Sequence, residues 1–127
     1  PTLQERVTQR AALQREMKQG LRDGELLLFG QPIVDGQCRT QGVEGLVRWQ
    51  HPVRGLVPPA QFIPLAEESG FILNIGQWVL QQACAYLAAW QHDPVRARWT
   101  LAINLSAKQL RQPDFVDHVR SALAQSG

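Results

Sequence analysis

The sequence has no apolar run near the roughly 20 residues needed to cross a bilayer. It also lacks a basic–apolar–cleavage pattern at its start. A membrane span and a secretory signal are therefore not expected in this segment, and a cytoplasmic setting is. Cysteine is scarce: Cys38 and Cys84 are the only two in 127 residues. They share no metal-type spacing and no histidine pair lies near either, which argues against a zinc site. Two reduced thiols of a cytosolic protein are the expectation. Excess charge is also lacking. The net charge is +2 and the basic residues are scattered, so no stripe is present to track a nucleic-acid polymer. His51, His92 and His118 lie far apart, and surface or capping roles are expected for them.

What remains is an ordinary globular composition. Hydrophobic residues make up 44% and charged residues 19%, enough to supply a core for one folding unit. Leu3, Val7, Ala11, Met17 and Leu21 recur at helical spacing, which predicts an amphipathic leader helix over residues 1–24, ending near Gly20 or Gly24. Its role is either packing against the domain after it or connecting to a domain upstream. Residues 25–34 (ELLLFGQPIV) and 40–49 (TQGVEGLVRW) read as strands. The link between them is too short for a crossover, so the two strands run antiparallel. Residues 51–61 read as loop. A short helix over 60–69 stops at Gly70, a strong helix covers 75–91, a third strand covers 99–105, and a last helix spans 114–124. Ser106 is placed as an N-cap just past the third strand. Strands alternating with helices point to an α/β fold with parallel strands. Three strands do not complete such a sheet.

Glu44 and Arg48 stand four apart on a strand, on the same face as Leu46. They form either a structural ion pair or a cation site beside a phosphate site, since carboxylate oxygens suit Mg²⁺ or Mn²⁺ and the guanidinium fork suits phosphate. Asn104 ends the third strand, where ligand sites collect in α/β folds; it caps the chain or ligates a hard cation. Gln31 is either an edge-strand polar residue or a donor to a base or phosphate. The four tryptophans read as core and strand-end packing. Glu67 and Glu68 read as a solvated face with Arg54 within reach of a salt bridge.

Four blocks, GQPIVDG, VEGLVRWQHPVRGLVPPAQFIPLAEESG, IGQWVLQQACAYLAAWQ and LAINLSAKQLRQPDF, succeed one another in the order and spacing of the first half of an EAL domain. Over residues 25–127 the chain resembles that family, with Glu44-Gly45-Leu46 matching the Glu-Ala-Leu signature. The resemblance implies a partial TIM-like (β/α) barrel, truncated, whose first strand runs against the others. It also implies metal-dependent hydrolysis of cyclic di-GMP to linear pGpG in bacterial second-messenger signalling. Glu44 and Asn104 would then be ligands of Mg²⁺ or Mn²⁺ in the complete domain, Arg48 would hold a phosphate, and Leu46 and Gln31 would line the nucleotide site. Gly45 replaces the signature alanine, and Gly30 stands where the family carries an aromatic or bulky side chain. The family's second half supplies a further Glu ligand, an Asp-Asp pair and a Lys, so 127 residues alone are expected to be inactive. A non-catalytic cyclic di-GMP receptor or interaction module on the same fold is the alternative. An upstream sensory or signalling domain, and a homodimer that completes the barrel, are the partners the resemblance leaves open.

Overall fold

The computed structural model describes residues 2–104 and 110–126, and the chain divides into two compact units. The first comprises Pro1–Leu27 with Val47–Ile75, the second Leu28–Leu46 with Gly76–Gly127.

The first unit opens with helix α1, Leu3–Arg22. Thr2 caps it reciprocally: the Glu5 N–H donates to Thr2 Oγ1 at 3.1 Å, and the Thr2 N–H donates to Glu5 Oε2 at 3.1 Å. The helix runs through Gly20, stopping at Asp23 with Gly24 at φ 75°. Gly20 stays inside it because of packing. A Cβ there would lie 2.7 Å from Glu25 Oε1 and 2.9 Å from Trp49 Nε1. The Trp49 indole donates to that same Glu25 oxygen at 3.0 Å.

The end of strand β2 (Thr40–His51) pairs antiparallel with β3 (Gly55–Val57), with Trp49 opposite Val57 and His51 opposite Gly55. Helix α2, Pro59–Ser69, comes next and ends on Gly70 in the left-handed region, as its position in the sequence predicts. Met17, Trp49 and Phe62 are fully buried, the Phe62 ring meeting Trp49 edge-on at 5.8 Å. Burial of three side chains of this size supplies several kilocalories per mole, at about 1.5–3 kcal/mol each.

Around this core runs a polar seam. His51 is buried. Its Nδ1 accepts the N–H groups of Val53 and Arg54, each at 3.0 Å, so Nδ1 carries no proton. The ring is the neutral Nε2–H tautomer and donates to Glu16 Oε1 at 2.7 Å. Arg54 bonds the other Glu16 oxygen at 3.1 Å. That Arg54 hydrogen bond holds the Glu16 carboxyl below its ordinary value, with burial opposing and His51 assisting. Arg10 pairs with Glu68. Arg54 thus turns to α1.

The second unit begins on β1, whose full span is Leu26–Val34. It neighbours β2 through a hairpin closed by the Asp35 N–H donating to the Arg39 carbonyl at 2.9 Å. The Asp35 carboxylate accepts the Gln37 and Arg39 N–H groups at 2.8 and 3.0 Å, and these bonds, Arg39 first, hold its pKa down. The antiparallel expectation holds, because five linking residues permit nothing else.

Helix α3 spans Ile72–Trp90, starting three residues before the predicted 75. A 3₁₀ turn over Arg96–Arg98 leads into β4, Thr100–Ile103. Strand β4 runs parallel to β2, with Gly42 opposite Thr100 and Glu44 opposite Ala102. Leu80 and Cys84 of α3 form a buried cluster with Ala122 of α4 (Phe115–Ser126), and Ile103 packs on it. Both cysteines are free, Cys38 exposed and Cys84 buried. The N-cap expected at Ser106 lies outside the described residues. Among the described residues, no helix is long and apolar enough to cross a membrane.

Candidate functional site

The pleat of β1 and β2 decides which side chains share a face. A Cβ at Gly30 would lie 2.8 Å from Val43 Cγ1, and one at Gly45 would lie 3.2 Å from Leu28 Cδ1. Leu28, Gly30, Val43 and Gly45 therefore face one way. Alternation sends Phe29, Gln31, Glu44 and Leu46 the other way. Ala102 is the register partner of Glu44 and joins the second face. Asn104 lies two residues beyond Ala102 and returns to that face in an extended chain.

Alternation thus puts Gln31, Glu44 and Leu46 on one side of β1 and β2, and Asn104 follows directly on the end of β4. Gln31 and Asn104 are exposed, and Glu44 and Leu46 are half-buried. Glu44 makes no hydrogen bond or ion pair among the described residues, so its charge is held at a partly buried position without a partner. Arg48 is further along β2 and belongs to the first unit. It is half-buried, donates from Nη1 to the Val47 carbonyl at 2.8 Å, and pairs with no carboxylate among the described residues.

Phe29 shares the parity of this face, is not marked by the sequence motifs, and also borders the space behind the sheet. It is 44% exposed, which is unusual for an aromatic side chain inside a strand. Counting in twos from Gln31 along β1 finds it.

A carboxylate and an amide oxygen are hard donors of the kind that Mg²⁺ and Mn²⁺ take. No group of three His, Cys, Asp or Glu side chains gathers among the described residues. Glu44 and Asn104 therefore fit part of a cation shell, and water, substrate oxygens or further residues would have to supply the rest. The opposite face carries a cavity of about 270 Å³, lined by Val43 and Gly45 together with Tyr86 and Trp90 of α3. It does not adjoin Glu44.

The family model described as EAL domain matches residues 11–127. The bifunctional diguanylate cyclase/cyclic di-GMP phosphodiesterase MucR of Pseudomonas aeruginosa is 44% identical over 112 residues, covering 87% of this chain and 16% of that protein. The cyclic di-GMP phosphodiesterase NbdA of the same organism is 42% identical over 125 residues, covering 96% of this chain and 16% of that protein. A solved structure described as the PaMucR phosphodiesterase in complex with c-di-GMP superposes with a TM-score of 0.85 at 41% identity, over 91% of this chain and 47% of that one. The chain spans about a sixth of the curated relatives and about half of that solved chain.

Proposed function

The chain belongs to the EAL domain family, and from that premise we propose that its parent protein binds cyclic di-GMP and hydrolyses it to linear pGpG with Mg²⁺ or Mn²⁺. Relatives at 42–44% identity are named as phosphodiesterases of this dinucleotide, and a solved relative is described as a complex with it. The observation that carries the reading is the register of β2 on β4. It sets the partnerless Glu44 carboxylate beside Ala102, one alternation before Asn104.

In this reading Glu44 and Asn104 hold the cation from adjacent strands. A divalent cation held there would supply Lewis-acid neutralisation of the phosphodiester's charge. Arg48 orients a phosphate through its free guanidinium donors. Leu46 and Gln31 flank the nucleotide, Leu46 excluding water from one side and Gln31 offering an amide to a base edge or phosphate. Hydrolysis adds one water across one phosphodiester: a P–O bond forms to the water oxygen, the P–O3′ bond breaks, and the 3′ oxygen takes the proton. Two protein ligands are too few for a full hard-cation shell, so the 127 residues by themselves are inactive. The free thiols of Cys38 and Cys84 support a cytoplasmic setting. The bifunctional name of MucR supports further signalling domains in the parent.

The test is to incubate the full-length protein with cyclic di-GMP and Mg²⁺ or Mn²⁺ and to monitor pGpG chromatographically. Turnover that disappears with chelator and with Glu44→Gln is expected. Binding without turnover would make the parent a receptor, and absence of binding would end the reading.

A further inference from the structure

The cavity behind the sheet, of about 270 Å³, lies among side chains of β1, β2, β4 and α3. Gly30 and Gly45 border it through their backbone, and a Cβ at either would press on Val43 or Leu28. Tyr86, Trp90 and Trp99 form one side of it, facing Leu28, Val43 and Leu101. Trp90 and Trp99 meet edge-to-face, their centroids 5.7 Å apart at 80°, and Tyr86 is 43% exposed.

One cation stands at the rim. The guanidinium carbon of Arg96 lies 5.8 Å from the centre of the Trp99 ring, and its side chain is about half exposed. Its Nε is 3.8 Å from Asp93 Oδ2, while its terminal amino groups bond to nothing among the described residues. The other Asp93 oxygen accepts the N–H groups of Val95 and Arg96, so that carboxylate is already occupied by the turn it caps. Both terminal amino groups thus remain for a ligand.

We propose that this cavity is a binding site for a small planar aromatic anion, its ring against Trp90, Trp99 and Tyr86 and its acidic group on Arg96. The volume lies just under the roughly 300–1,000 Å³ of drug-sized sites, which limits the ligand to one or two fused rings. The aromatic walls favour a flat π-system. The unused guanidinium donors select an anion over a neutral ring of the same shape. The proposal is independent of the Glu44 face.

Naphthalene-2-sulfonate is the probe and naphthalene-2-methanol its neutral counterpart, titrated into the full-length protein by calorimetry and tryptophan fluorescence. One saturable site is expected for the sulfonate. Arg96→Gln should weaken the sulfonate at least tenfold and leave the alcohol unchanged. Leu101→Phe, which fills the cavity from β4, should abolish both. The proposal is overturned by absence of saturable binding, as a segment of the full chain seated in the cavity would give. Equal sulfonate affinity in Arg96→Gln also overturns it, and that arm decides alone if Leu101→Phe does not fold.

Discussion

Glu16 of α1 and His51 at the end of β2 meet at 2.7 Å, 35 residues apart in sequence. The contact ties the leader helix to the β2–β3 hairpin of its own unit. The His51 ring cannot turn away without also releasing the Val53 and Arg54 N–H groups. Glu16→Ala strips the acceptor from a buried ring N–H and the partner from Arg54. A loss of about 1–3 kcal/mol is expected, the range for an orphaned buried donor. Urea unfolding of the variant against the parent sequence checks it, and an unchanged midpoint would count against the latch.

The same carboxylate gives stability a pH dependence. Its folded pKa lies below the ordinary 4.5, so the folded carboxyl binds its proton less tightly than the unfolded one. The contribution is complete above that ordinary value and is lost as pH falls through the depressed one. The stability gap between the parent sequence and Glu16→Ala should stay constant from neutral pH down to about 5, then narrow in more acid solution. A gap that widened on acidification would contradict the sign.

At Gly42, β2 lies close against β4. A Cβ there would stand 2.4 Å from the Thr100 carbonyl oxygen and 2.6 Å from Thr100 Oγ1. Backbone cannot swing aside as a side chain can. Gly42→Ala should therefore destabilise by about 3 kcal/mol, the upper end for overpacking, and should shift the amide resonances of β4. A neutral result in chemical denaturation would mean the strands separate freely.

These contacts mark the boundary of what was legible in the sequence. Period-2 alternation and turn residues are local, so β1, β2, β4 and the stop at Gly70 could be read directly. The common face of Glu44 and Leu46 comes from the same alternation. Strand β3 escaped because it is three residues long and lies just after Pro52; its only signal is Gly55, at φ 76° after a short turn. The Glu16 bond to Arg54 and the burial of His51 join distant segments. No local pattern distinguishes Glu16 from Glu68 as a partner, or a buried histidine from a surface one. The closeness that forces glycine at position 42 likewise emerges only when β4 is laid against β2.

Cys38 in the β1–β2 hairpin loop has φ 62°, a conformation that costs a side-chain-bearing residue about 1–2 kcal/mol. Glycine removes that strain but enlarges the freedom of the unfolded chain by roughly half of it. Cys38→Gly should raise stability by about 0.5–1 kcal/mol, read as a higher melting temperature. A lower one would show that the exposed thiol contributes contacts of its own.

Arg48 offers the sharpest test of the proposed nucleotide site, since its guanidinium is half-buried, steadied by the Val47 carbonyl at 2.8 Å, and without a carboxylate partner among the described residues. If it holds a phosphate, Arg48→Ala should weaken cyclic di-GMP binding to the full-length protein by about 1.5–3 kcal/mol, the range for a charge-assisted bond. Arg48→Lys should recover only part of this, because an ammonium supplies the charge without the planar fork. Calorimetric titration with Ca²⁺ replacing Mg²⁺, to slow turnover, separates binding from hydrolysis. A purely structural Arg48 would lower thermal stability in both variants and leave the affinity of the folded fraction unchanged, and that pattern would remove it from the site.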